Sequence, residues 1–162
     1  MQSLYPLAER VAERLKASKA TVAVAESSSG GLVAAALLAV PGASAYFLSG
    51  AVIYTKVARS SLLGITPEQM GDIRSASEPY AKLLAETVRA KAGATWGIAE
   101  TGAAGPTGNG YGDAPGHSCI AISGPGHAVA TIETGSADRA ANMERFAAGL
   151  LELLLQTMGE TP

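Results

Sequence analysis

The chain has one cysteine and two histidines in 162 residues, and this scarcity excludes several kinds of chemistry. With Cys119 alone there is no disulfide framework, and an intracellular compartment is the expectation. Lying in an apolar run, Cys119 reads as a small buried hydrophobe. His117 and His127 have no cysteine or carboxylate at ligand spacing, which argues against a metal site and weakens a Ser-His-Asp triad. The 12 Lys and Arg are scattered and the formal net charge is −2. A duplex nucleic-acid binder needs a basic stripe, so no nucleic-acid partner is expected. No apolar run reaches the roughly 20 residues of a membrane span, and residues 1–10 carry no charged-then-apolar signal pattern. A soluble, cytoplasmic protein without a membrane partner is expected. No linker rich in proline, serine or charge divides the chain, so residues 1–162 are expected to form a single domain.

Against these absences stands a hydrophobic content of 48% arranged in clear periods. Leu4, Leu7, Val11 and Leu15 recur at helical spacing and predict a helix over residues 3–18. Residues 21–25 form a short β-branched strand, and residues 31–39 a helix stopped by Pro41-Gly42. A second strand is predicted over 50–54 and a third over 95–99. Thr66, Pro67 and Gln69 form a helix-start signal, and Ser77 caps a further helix with Tyr80, Leu83, Leu84 and Val88 on its apolar face. Residues 117–123 and 127–134 read as a hairpin turning at Gly124-Pro125-Gly126. Phe146, Leu150, Leu153 and Leu154 stripe the last helix. Strands separated by helices, then a hairpin, predict a three-layer α/β/α sandwich on a mixed, mostly parallel sheet of about five strands.

Ligands of open α/β sheets bind beyond the carboxyl ends of parallel strands. Three stretches follow strands in this way: residues 26–31, 55–59 and 100–116. The first and third are rich in glycine and hydroxyls, with amide groups unshielded by side chains, and suit an anion such as a phosphate. The plainer reading of those glycines is turn-making. No Gly-Lys-Ser/Thr or Gly-x-Gly-x-x-Gly follows the first strand, which excludes a Walker loop and a dinucleotide fingerprint. Gly-x-Ser-x-Gly is absent too, since Glu26 stands two residues before Ser28. What remains is a serine with a basic partner that is not histidine. Ser44, Tyr54, Lys56 and Arg59 supply such groups, although each also fits a structural role.

"AESSSGG", "VPGASAYFLSGAVIYTKVARSSLLGI", "SASEP", "TGAAGPTGNGYGDAPG" and "TGSADR" occur in this order and cover nearly the whole chain. Together they resemble the CinA C-terminal domain family, the nicotinamide-nucleotide amidases. The resemblance implies hydrolysis of the carboxamide of nicotinamide mononucleotide to the nicotinic acid nucleotide and ammonia. No metal or organic cofactor is implied, and the partner is a small-molecule nucleotide. It places the family's serine nucleophile on Ser44 and its tyrosine on Tyr54. The AESCTGG pattern matches Glu26, Ser27, Gly30 and Gly31, with Ser28 and Ser29 for the Cys-Thr pair. TGxAGP matches Thr101, Gly102, Ala104, Gly105 and Pro106, and the later GDR matches Asp138 and Arg139.

The sequence departs from the family at its lysine, where Arg59 stands. A guanidinium stays protonated and cannot act as a general base, whereas Lys56, one helical turn earlier, offers an amine on the same face. His117 stands where the family carries a small hydroxyl residue, and the arginine that usually follows GDR within a turn gives way to the region of Met143. Two functions follow. In the first, Ser44 attacks the carboxamide, Lys56 takes its proton, Tyr54 orients and Arg59 binds an anion. Glu26, Ser27, Ser29, Gly30, Gly31, Thr101, Gly102, Gly105, Pro106 and Arg139 then hold the nucleotide. In the second, the chain is a catalytically impaired paralogue that keeps the pocket and binds a pyridine nucleotide. A third, an interaction module, leaves the glycine loops without a purpose. Ser44 precedes the second strand and Tyr54 ends it, so within a parallel sheet they face opposite edges. That separation leads us to expect a homo-oligomer, a dimer or higher.

Overall fold

The structure, a computed structural model, describes residues 1–159; the last three residues of the expected 1–162 domain lie outside the described residues. The elements in chain order are α1 (Tyr5–Ser18), β1 (Val22–Glu26), α2 (Leu32–Ala39), a 3-10 turn (Ala43–Ala45), β2 (Phe47–Val52), α3 (Lys56–Leu63), α4 (Pro67–Met70), α5 (Glu78–Ala92), β3 (Trp96–Ala103), β4 (His117–Ser123), β5 (Ala128–Glu133) and α6 (Arg139–Thr157). The sheet order is β2-β1-β3-β4-β5. β1 runs parallel to β2 and β3, and β3-β4-β5 continues antiparallel. This is the mixed α/β sheet expected, with β4 and β5 forming its hairpin.

The alternation of β1 explains the layers. Val22 and Val24 face a core built with α1, α2 and α6. Ala23 and Ala25 face a second core built with α5 and with Leu63, Ile65 and Met70. Small residues on that side let α5 lie close. At Gly97 of β3 a Cβ would stand 2.1 Å from the Ala85 carbonyl oxygen, so only glycine fits there. The Thr66 capping box forms with both bonds, and Ser77 Oγ accepts from the Tyr80 amide at 3.3 Å.

Three boundaries differ from the sequence reading. β2 starts at Phe47 rather than residue 50 because it pairs with β1 from Val22 onward. β3 runs past Ala99 to Ala103 because Glu100 through Ala103 pair with β4. The polar Glu100-Thr101-Gly102 looks like loop, yet it pairs with Ile120, Cys119 and Ser118 of β4. Residues after Tyr54 form a helix, α3, opened by Thr55 Oγ1 accepting from the Ala58 amide at 3.1 Å. Among the described residues no helix is long and apolar enough to cross a membrane.

Candidate functional site

The carboxyl ends of β1, β2 and β3 meet at one edge of the sheet, and the ESSSGG turn between β1 and α2 forms its floor. Two buried carboxylates organise this turn. Glu26, at the end of β1, accepts the Val33 and Ala34 amides, each at 2.9 Å, and the Ser29 hydroxyl at 2.7 Å. Glu100 of β3 accepts the Ser27 and Ser29 amides at 3.1 and 2.8 Å. It also accepts the hydroxyls of Ser28, Ser29 and Ser118. Glu26 and Glu100 are 1% and 0% exposed. Burial raises the Glu26 carboxyl above its ordinary range, opposed by the Ala34 amide, the Ser29 hydroxyl and the Val33 amide. The helix N-terminus that sequence reading offers to a phosphate is therefore filled by the protein's own Glu26. Ser29 is buried as scaffold, whereas Gly30 is exposed and Gly31 half-buried, and neither glycine lines the clefts above; a Cβ at Gly30 would meet Met143 Cε at 2.8 Å.

Above this floor lie two adjoining clefts of ≈ 240 and ≈ 250 Å³ that share Tyr54, Gly102 and Asn109. The first is lined by Ser27, Tyr54, Lys56, Arg59, Tyr80, Thr101 and Tyr111, among others. The second is lined by Ser28, the backbone of residues 102–105, Thr107, Gly108 and Arg139. Tyr54 stands between them with its hydroxyl 3.1 Å from an Arg139 guanidinium nitrogen. Arg139, the first residue of α6, also donates to the Gly105 carbonyl at 2.5 Å. Asn142 one turn later donates to the carbonyls of Ala104 and Ser136, both at 2.8 Å. The TGSADR segment thus fastens α6 to the glycine loop.

The loop between β3 and β4 is stapled by its few polar side chains. Asp113 receives both Arg74 nitrogens at 2.7 and 3.2 Å and the Asn109 amide at 2.7 Å. Arg74 also lies 5.3 Å from the centre of the Tyr111 ring. Against the cost of partial burial, Arg74, Asn109 and His117 hold the Asp113 carboxyl below its ordinary range. His117 lies beneath, with Nδ1 2.5 Å from Glu133 Oε1 and Nε2 2.8 Å from the Ala76 carbonyl oxygen. Burial alone would lower its pKa, but Glu133, the Ala76 carbonyl and Asp113 together raise it. Ala76 has a left-handed backbone at φ 55°, a strained state for a residue with a Cβ. Its amide is held by Thr101 Oγ1 at 3.2 Å.

The structure thus brings Ser27, Tyr54, Lys56, Arg59, Thr101, Gly102, Gly105 and Arg139 to one edge. Pro106 follows Gly105 in the same loop but lines neither cleft. Ser44 is elsewhere, exposed in the 3-10 turn before β2, at the opposite edge of the sheet. Lys56 is exposed, and Arg59 lies 5.5 Å from the centre of the Tyr80 ring. Sequence reading missed Asn109, Tyr111 and Tyr80. Tyr111 is the one aromatic in a run of glycines, which was a usable signal. Among the described residues no group of three or more His, Cys, Asp or Glu is arranged to hold a metal ion.

Comparison with known proteins bears on this arrangement. The family model described as the CinA C-terminal domain matches residues 4–158. The chain belongs to the CinA C-terminal domain family. A CinA-like protein of Desulfosudis oleivorans is 40% identical over 149 residues, 91% of this chain and 36% of that protein. One of Myxococcus xanthus is 39% identical over 156 residues, 94% of this chain and 36% of that protein. The chain thus spans about a third of the curated relatives it matches. Among solved structures, the competence damage-inducible protein A of Klebsiella pneumoniae superposes with a TM-score of 0.89 at 25% identity, covering 98% of each chain. The competence/damage inducible protein CihA of Agrobacterium tumefaciens gives 0.88 at 27%, covering 95% of this chain and 94% of that one. In this CinA domain the AESSSGG, TGAAGP and ADR segments form the floor, the loop and the α6 clamp of the two clefts.

Proposed function

We propose that this domain is an amidohydrolase acting on the carboxamide of nicotinamide mononucleotide. The observation that carries the reading is the pair of clefts joined at Tyr54. One has aromatic walls, Tyr54 and Tyr111, for a planar ring. The other has bare backbone and Arg139 for a phosphate. Cations bind such anions through charge-assisted hydrogen bonds. Ser44 Oγ attacks the carboxamide carbon and its proton passes to the Lys56 amine. The tetrahedral intermediate collapses, the C–N bond breaks, and that proton leaves with ammonia. Water then hydrolyses the acyl-serine ester to release the nucleotide acid. Backbone amides hold the oxyanion. Ammonia release from nicotinamide mononucleotide tests the reading directly. Equal rates from wild type, Ser44→Ala and Lys56→Ala overturn it.

A second reading rests on Arg59, whose guanidinium lies over Tyr80 where the family lysine belongs. It makes the domain a pyridine-nucleotide binder without turnover. Thermal stabilisation by the nucleotide with no ammonia released would favour it.

A further inference from the structure

His117 opens β4 with a side chain only 8% exposed. Its Nδ1 lies 2.5 Å from Glu133 Oε1 of β5, and its Nε2 lies 2.8 Å from the Ala76 carbonyl oxygen. A carboxylate and a carbonyl only accept hydrogen bonds, and a neutral imidazole has a single N–H. With one proton, one of these two short contacts sets lone pair against lone pair. Only the imidazolium satisfies both. Asp113 Oδ2, 3.7 Å from Nε2, adds a second carboxylate. Beside the ring are Cys119 of β4, its Sγ 3.8 Å from Nε2, and Arg74, which Asp113 engages. Glu78 of α5, bonded to the Thr131 hydroxyl of β5 at 2.7 Å, is the further charge on this face.

Two of the three acceptors lead to segments that wall the first cleft. Ser75 and Ala76 line it. Ala76 keeps its left-handed backbone between two bonds, its carbonyl on His117 and its amide on Thr101 Oγ1. Asp113 leads to the second segment. It receives Asn109 Nδ2 at 2.7 Å, and Asn109 Oδ1 in turn accepts the Tyr111 amide at 3.0 Å. Asn109 and Tyr111 also line the cleft. Packing does little for this loop, since a Cβ at Gly110 or Gly112 would meet no atom within 4 Å. Glycine raises the entropy cost of ordering such a segment, so its order rests on Asp113 and the groups bonded to it.

We propose that the His117 imidazolium positions both segments, so that the first cleft takes its ligand while the ring is protonated and loosens when the proton leaves. His117 lines neither cleft and acts as a positioning residue. After loss of the proton, either the Ala76 carbonyl or Glu133 faces a lone pair. In both cases Asp113 loses the charge beside it. Ligand binding that needs both segments in place is thereby linked to one proton. The ligand class, a nucleotide with a planar ring, rests on the amidohydrolase reading; the loop's dependence on His117 does not.

Nuclear magnetic resonance tests the loop without any ligand. The His117 ring is expected to titrate above the usual histidine value of about 6.5, and amide protection factors at residues 109–112 to fall with the same midpoint. Glu133→Gln removes one partner at an exposed position and is expected to move both midpoints down together. His117→Gln is expected to show low protection at every pH; if it fails to fold, Glu133→Gln carries the test. Protection that ignores the ring's midpoint, or a shifted midpoint that the loop does not follow, overturns the proposal. Isothermal titration with nicotinamide mononucleotide tests the cleft. In wild type Kd is expected to rise about fivefold or more across the His117 titration, and in His117→Gln to stay at the weak level throughout. A wild-type Kd that holds steady while loop protection falls overturns the link to the cleft. No binding at any pH overturns the nucleotide reading, and loop protection then decides whether His117 orders the cleft wall.

Discussion

The Tyr54 hydroxyl, just beyond β2, sits 3.1 Å from the Arg139 guanidinium at the start of α6, 85 residues further along the chain. The bond closes the boundary between the two clefts and ties an exposed tyrosine to an exposed arginine. Its partner bond, Arg139 to the Gly105 carbonyl, anchors the same side chain to the glycine loop.

Arg139 therefore has its charge directed at the second cleft. Arg139→Ala is expected to weaken nucleotide binding about tenfold or more, the loss of one charge-assisted contact of roughly 1.5–3 kcal/mol. KM should rise more than kcat falls, and the nicotinamide riboside, which has no phosphate, should show no such difference. Steady-state kinetics with both compounds check this.

Lys56 and Arg59 are one helical turn apart on α3 and have different expected roles. Lys56→Ala should lower kcat by about 10²-fold or more, the usual contribution of a general base. Arg59→Lys should leave kcat within a few-fold. A wild type without turnover that gains it on Arg59→Lys would instead favour the binding reading.

Glu100 accepts five hydrogen bonds from Ser27, Ser28, Ser29 and Ser118. Glu100→Ala leaves those donors buried without a partner and is expected to cost about 3–5 kcal/mol, read as a lowered urea midpoint. It should also loosen the ESSSGG turn, seen as faster amide exchange at Ser27 and Ser29.

His117 predicts a pH dependence. Its folded pKa is raised above the unfolded value of about 6.5, chiefly by Glu133, the Ala76 carbonyl and Asp113 against the opposing effect of burial. The stabilisation is thus complete below pH 6.5 and is lost as pH rises through the folded value. Tm should decline over that range, and His117→Gln should flatten the decline. The same titration frees Asp113 and the Ala76 carbonyl from a positive charge, so the glycine loop should become more mobile at high pH.

The sequence by itself determined the elements and their order. Apolar periods of 3.6 and 2, the Thr66 and Ser77 caps and the Gly-Pro-Gly hairpin are local signals, and local hydrogen bonding satisfies them. The ordered motifs determined the family for the same reason, since each is a short run. Tertiary structure decided what Glu26 and Glu100 do. A carboxylate at a strand end reads as solvent-exposed until a neighbouring strand and turn enclose it and supply donors. It also decided that β3 runs on through polar Glu100-Thr101-Gly102, because pairing with β4 matters more there than composition. Above all it set Ser44 and Lys56 at opposite ends of a strand at the sheet edge. A sequence records how far apart two residues lie along a strand. Strand pairing alone decides which edge stays open and what can lie against it.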